Sequence, residues 1–426
     1  MSSSPDTSSS ARAIYVPIWL LVMLTFCGTL AMHMFVPALP VAGRDLHASM
    51  GLMQSTISLY IVGLAVGQLI YGPISDAVGR RPVLMFGLTL YALAGFAAAF
   101  APAVQALIAA RVLQALGGCT GIVLARTIIR DTSASTDAIR RMALMNLITM
   151  IGPGVAPMLG VAIIGSVGWR YIFVLLALLG IVNALLTWRM LPETGRPSGH
   201  VHLRRLLRDY GATLRSPGFI GFAVGGSCAT MAVYAIVVAA PFILVQQLQR
   251  PDREVGYLLF VLMLTMAVGN MTTSRLVGKV AIEKILIRAN LLSLGAACLL
   301  VIVTLTELQS VWLVGACMGL FTMGIGMAGP GAVTKAISVN PRLTGTAAGL
   351  YGACQMLVGA IASALPAVGS NPAISCGVVL VTAGVIAQLC LRSALAQERR
   401  RKRRLAHGAV QGADAGAREP RGRGAD

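Results

Sequence analysis

Two residues of this sequence carry, or can carry, charge where their neighbours carry none. Arg111 lies in the apolar stretch 103–125 and His33 in the stretch 14–39. If such stretches cross a bilayer, an arginine there costs at least about 2.5 kcal/mol on insertion scales, so it normally has a partner or a ligand. Arginine cannot shed its charge in a protein. All 15 acidic residues fall in loops, loop edges or tails, so the sequence offers Arg111 no carboxylate inside the membrane. At a rise of about 1.5 Å per residue, His33 lies about 10 Å below the Pro40 end of its stretch, and Arg111 about 12 Å below the Ala103 end of its own. The two lie at similar depth, and if they are neighbours an anionic group bound at Arg111 lets His33 take up a proton, coupling binding to protonation. The competing reading leaves His33 as a helix-packing hydrogen bonder and Arg111 bonded to a carbonyl or water. Tyr60, Gln114, Asn146, Tyr234 and Gln355 are the other polar candidates for a cavity lining, and each also fits interhelical packing.

The elements that hold these residues follow from composition. Hydrophobic residues make up 56% of the 426-residue chain and charged residues 12%, with a mean hydropathy of +0.79. An average soluble domain carries about 25% charged residues, so the deficit places the chain in a membrane. Windows of about 20 apolar residues predict twelve spans: 14–39, 52–73, 82–101, 103–125, 141–164, 170–190, 218–244, 255–277, 284–306, 310–333, 344–366 and 373–394. The first stretch is too long for a signal-peptide core and is expected to remain as helix one.

Of the 34 Lys and Arg, 29 fall on one side of these spans or at the span ends that face it, four on the other side or its span ends (Arg44, Arg170, Arg250, Arg253), and Arg111 in the interior of one. The +19 charge therefore sets topology and does not form a nucleic-acid surface; both termini and the loops after even-numbered spans are expected in the cytoplasm. The predicted organisation is a short tail (1–13), a six-helix bundle (14–192), a polar linker (193–217) with an amphipathic centre, a second six-helix bundle (218–394), and a basic tail (395–426) expected to be disordered and to attract anionic lipid. The eight cysteines fall in apolar segments without CxxC spacing, as buried free thiols do. There is no GxxxxGK(S/T) loop for nucleotide phosphates, no metal-ligand cluster and no acid pair for catalysis, so neither cofactor nor enzyme activity is expected.

Several motifs bear on function. The loop after span two reads Gly72-Pro73-Ile74-Ser75-Asp76-Ala77-Val78-Gly79-Arg80-Arg81. Its glycines allow a tight turn and close helix approach, and Asp76 can pair with Arg80. Span four carries Arg111-Val112-Leu113-Gln114, and span five carries Gly152-Pro153-Gly154-Val155-Ala156-Pro157-Met158-Leu159-Gly160. With Arg126–Asp131, Trp169–Phe173, Leu191–Thr194 and Gly345–Gly349, these resemble the major facilitator superfamily, in particular the Bcr/CflA multidrug-resistance group of its drug:proton antiporters. The loop departs from the family at Ala77, where Arg or Lys is usual. The resemblance covers roughly residues 30–394 and is strongest in the first half.

The resemblance implies an all-α membrane protein, two six-helix bundles around a central cavity, working by alternating access, with spans one and four both lining the cavity so that His33 and Arg111 are expected to be close neighbours there. It also implies a gate at Gly72, Asp76, Gly79, Arg80 and Arg81, an antiporter motif at Gly152, Pro153, Pro157 and Gly160, and a gradient-driven exporter of small amphipathic organic compounds, with protons as the candidate coupling ion. The family's membrane carboxylate in span one is replaced by His33, ahead of Met34–Pro40. The alternative is a transporter for a specific organic anion or metabolite that uses Arg111; a sensor built on the same fold is a third reading, which lacks a soluble signalling domain. A monomer handling a small molecule is expected, with no nucleic-acid partner.

Overall fold

The structure is a computed structural model that describes residues 16–416 except 134, 150, 196, 198, 200–202, 252, 307–309, 340–343 and 368–370. Among the described residues it is almost wholly helical. The first half comprises α1 (Ile18–His33), α2 (Leu39–Asp45), α3 (Met50–Val78), α4 (Arg80–Ala99), α5 (Val104–Thr132), α6 (Ser135–Thr149), α7 (Ile151–Ser166) and α8 (Arg170–Met190). The linker holds α9 (Leu203–Leu214), where the amphipathic segment is expected. The second half comprises α10 (Pro217–Met231), α11 (Val233–Phe242), α12 (Arg253–Leu276), α13 (Ile282–Leu305), α14 (Val311–Ser338), α15 (Thr344–Ala364) and α16 (Pro372–Gly416).

Among the described residues eleven helical segments are long and apolar enough to cross a membrane, and Ile151–Ser166 is a shorter apolar helix. Local signals start several of them. Ser49, Ser216 and Ser310 accept a bond from a backbone N–H three residues on, satisfying a donor left free at a helix start. Pro217 occupies the first position of α10, where its missing N–H costs nothing.

Several spans differ from their predicted extent, three of them at residues that bear on the site. Span one breaks after His33: Val36–Ala38 forms a 3-10 turn before α2 carries the chain on to Asp45. Pro37 and Pro40 lack the N–H that an unbroken ladder needs. His33 is thus twelve residues from the helix end, about 18 Å at helical rise, and not about 10 Å. Span four runs on to Thr132, so Arg126 and Arg130 stand on the same helix as Arg111, which is not the only span arginine. The last span continues as one helix to Gly416, so the tail, expected to be disordered from 395, is helical over this part. All eight cysteines are free, but Cys298 is exposed rather than buried.

The halves meet along two seams. On one, α3 packs against α15: the side-chain oxygens of Ser58 and Ser363 are 2.7 Å apart and both residues are buried. Further along, Gln68 lies directly over Gly352, where an added Cβ would fall 2.0 Å from its Oε1. On the other seam α7 packs against α12. A Cβ at Gly256 would stand 2.9 Å from Val161 Cγ2 and 3.4 Å from the Pro157 carbonyl oxygen. The face bearing the Gly72–Arg81 loop is called the basic face below.

Candidate functional site

The loop between α3 and α4 is built around one buried guanidinium. Arg80 ion-pairs with Asp76 (2.5 Å) and Asp131 (3.0 Å), and its Nη1 donates to Ser75 Oγ (2.6 Å). Glu193, just past α8, accepts from the backbone N–H groups of Arg80 (2.8 Å) and Arg81 (3.1 Å), so a carboxylate covers the free amides that open α4. Arg81 donates to the Trp188 carbonyl at 2.6 Å. Gly79 makes the turn at φ 112°, and a Cβ there would lie 2.6 Å from Glu193 Oε2. Gly72 differs from expectation. It lies inside α3, with no atom within 4 Å of a would-be Cβ, so neither the turn nor a close helix approach depends on it.

Asp131 and Glu193 complete this cluster, and the sequence does not single them out, although each lies in a string quoted above. The second half has a comparable cluster, again one cation between two carboxylates: Lys335 of α14 reaches Glu283 of α13 (2.5 Å) and Glu398 of α16 (3.0 Å).

The span-five motif is packing surface on two sides. A Cβ at Gly160 would sit 2.1 Å from the Met34 carbonyl oxygen, and one at Gly152 would meet the Phe26 ring at 2.9 Å, so glycine lets α7 lie against the broken first span. Pro157 is buried, and its carbonyl faces Gly256 of the other half; Pro153 is half-buried on the same helix.

His33 and Arg111 part company in the fold. His33 is buried at the seam with the second half, its ring 6.3 Å from that of Tyr234 on α11, and it makes no hydrogen bond among the described residues. Arg111 faces into the first bundle. Its guanidinium carbon lies 4.0 Å from the Tyr60 ring centroid, 5.7 Å from Phe35 and 5.6 Å from Phe173, and its Nη1 donates to Gln114 Oε1 at 2.8 Å. It is fully buried, with Nε and Nη2 unbonded. Similar depth on two cavity-lining spans is what makes them expected neighbours. The facing of their helices separates them, because aromatic rings wall Arg111 off from the seam.

Tyr60 likewise belongs to this box, its hydroxyl donating to the Gly28 carbonyl at 2.8 Å. Gln355 donates to Thr230 within the second half, at 3.2 Å. Asn146 is on α6, but its side chain falls outside the described ones.

A cavity of about 400 Å³ opens at the basic face between the halves. Its first-half wall includes Gln68, Asp76, Arg126, Thr127 and Arg130, and its second-half wall Thr346, Ala348 and Gly349. Tyr210 of the linker helix closes one side, its hydroxyl bonded to the Leu69 carbonyl at 3.0 Å.

Two helical halves, joined along paired seams and parted by a cleft at one face, define a polytopic membrane transporter that works by alternating access, not an enzyme. The chain belongs to the Major Facilitator Superfamily, whose model matches residues 21–363. It is 30% identical over 380 residues to Multidrug resistance protein D of Escherichia coli, covering 87% of this chain and 93% of that one. Over 365 residues it is 28% identical to the Multidrug transporter MdfA of Yersinia pestis (84% and 87%), and over 367 residues 26% identical to a Haemophilus influenzae bicyclomycin resistance protein homolog (84% and 90%). In fold it is similar to a bacterial homolog of the lysosomal transporter Spinster, solved inward-facing and unoccupied, with a TM-score of 0.69 at 14% identity over 89% of this chain and 97% of that one.

Proposed function

We propose that the protein is a proton-driven exporter of small amphipathic organic compounds, working as a monomer in the inner membrane with both termini and the basic face in the cytoplasm. The observation that carries this reading is the place of His33. It is a titratable side chain at the seam between the halves, its ring 6.3 Å from that of Tyr234 in the other half. It ends the helix against which the glycines of the antiporter-like motif pack. A proton on a side chain at that seam is felt by both halves, and that is what coupling to a rocking motion requires. Relatives named for multidrug and bicyclomycin resistance supply the substrate class. The 29-to-4 division of basic residues supplies the orientation. The organic-anion reading built on Arg111 loses its basis, since that cation is walled in by rings.

The test is efflux of a panel of dyes and antibiotics from a strain lacking its major pumps, with His33→Gln as the variant. The variant should still bind the compounds that wild type exports but no longer respond to collapse of the proton gradient. An unchanged response would remove His33 from coupling, and a flat panel for wild type would remove drug export. A cysteine at Ser310 should react with an impermeant reagent added outside, and one at Arg215 should not.

A further inference from the structure

The wall of the basic-face cavity contains an unneutralised pair of charges. Arg126 and Arg130 are four residues apart on α5 and both line the cavity, each exposed to it. Side chains at that spacing share one helix face with Cβ atoms about 5–6 Å apart, and like charges so placed destabilise the helix. Neither arginine makes a hydrogen bond or ion pair among the described residues. The acid of the lining, Asp76, pairs with Arg80 at 2.5 Å. The other lining groups are uncharged: the Gln68 amide, two threonines, Tyr210 and small residues of α15. Topology alone asks for positive charge near this face. It does not ask for two guanidiniums aimed into the gap between the halves, where the family's exported compounds must pass.

From this we infer that the cavity is selective for amphipathic organic anions. The anionic group (carboxylate, sulfonate or phosphate ester) is held between Arg126 and Arg130, and the apolar body lies toward Tyr210 and the Ala348–Gly349 surface. Guanidinium forks bind such groups through paired, charge-assisted hydrogen bonds. Binding there also relieves the repulsion between the two arginines. The inference rests on the reading that the basic-face cavity admits the transported compound. It moves the cationic recognition element from the enclosed Arg111 to a pair that solvent reaches.

The experiment uses the full chain reconstituted in phosphatidylcholine vesicles, with a fluorescent aryl carboxylate and its methyl ester as matched probes. Wild type should transport the carboxylate in preference to the ester, and that preference should shrink as salt on the basic-face side rises from 0.05 to 0.5 M, about the range over which screening becomes strong. Arg126→Gln combined with Arg130→Gln should lower the carboxylate-to-ester ratio by about tenfold or more, the loss of at least one hydrogen bond to a charged group. The double lysine variant should restore part of it. Transport of both probes with no preference, or a preference that survives the double glutamine variant, overturns the inference while leaving export intact. A preference seen only when phosphatidylglycerol is added also overturns it, because the arginines then serve lipid headgroups. Transport of neither probe, nor of any compound in the dye panel, overturns the export reading itself. If the glutamine variants fail to fold, the salt dependence of wild type decides alone: a ratio insensitive to salt excludes an exposed cationic site.

Discussion

At the scale of residues, the chain keeps a permanent cation inside a membrane bundle without a carboxylate, and aromatic rings take the carboxylate's place. Tyr60 supplies both a ring 4.0 Å from the Arg111 guanidinium and a hydroxyl bonded to Gly28. A desolvated cation–π contact is worth about 2 kcal/mol or more, and a typical hydrogen bond about 1 kcal/mol. Tyr60→Phe should therefore lose about 1 kcal/mol of stability and Tyr60→Leu about 3 kcal/mol, read as the order of unfolding temperatures in detergent; equal drops would mean that the ring does nothing for the cation. Gly79→Ala makes a second case. A left-handed backbone costs an L-residue about 1–2 kcal/mol, and the new Cβ would also displace Glu193, 2.6 Å away, from the amides of Arg80 and Arg81. Transport should fall further than in Glu193→Gln, which keeps the shape, and a wild-type rate in Gly79→Ala would refute the requirement. The glycine, the aspartate and the arginines of this loop were legible in sequence, because their spacing is local. Glu193 was not, since nothing local says that a residue 113 positions from Arg80 will accept its amide.

At the scale of elements, hydropathy alone located eleven of the twelve predicted spans as crossing-length helices among the described residues, because about 20 apolar residues are required whatever the fold, and the fifth holds a shorter apolar helix. It could not locate the breaks. Pro37, Pro40 and Pro241 are visible in the sequence, but whether a proline kinks, ends or merely sits in a helix depends on its neighbours. Here span one is broken at His33–Leu39, while α11 passes through Pro241 and closes in a π-helical turn at Ile243–Gln247. The side each helix presents was also hidden, which is why Arg111 and His33, expected at one depth, differ in depth and face different partners. The α7–α12 seam yields a prediction at this scale. Gly256→Leu puts a branched side chain where a Cβ would already lie 2.9 Å from Val161 and 3.4 Å from the Pro157 carbonyl. The helices should be held apart, so a cysteine at Met158, half-buried in the same contact, should react faster with thiol reagent in the Gly256→Leu background. Equal rates would mean that the seam is already open in the resting protein.

At the scale of the whole molecule, the cleft lies at the basic face and the seams hold toward the other. Alternating access requires that this arrangement reverse, so the contacts nearest the opposite face must separate in each cycle. Ser58 and Ser363 are the sharpest of these contacts. They lie on α3 and α15, in different halves and 305 positions apart in sequence, with side-chain oxygens 2.7 Å apart. Losing that one buried bond costs only about 1 kcal/mol, so Ser58→Ala should be mild. Fastening it should not be mild. With the oxygens this close, cysteines at both positions approach the short Cβ–Cβ separation of about 3.5–4.5 Å that a disulfide needs. Oxidation of the Ser58→Cys, Ser363→Cys double variant should therefore tie α3 to α15 with the basic-face cleft still open. Turnover should stop, while equilibrium binding from the basic face persists and reductant restores transport. The single variants serve as controls, since eight native free cysteines, Cys298 among them exposed, can react on their own. A double variant that crosslinks fully and still transports would show that the two helices stay together throughout the cycle, and that the opposite face opens along the α7–α12 seam instead.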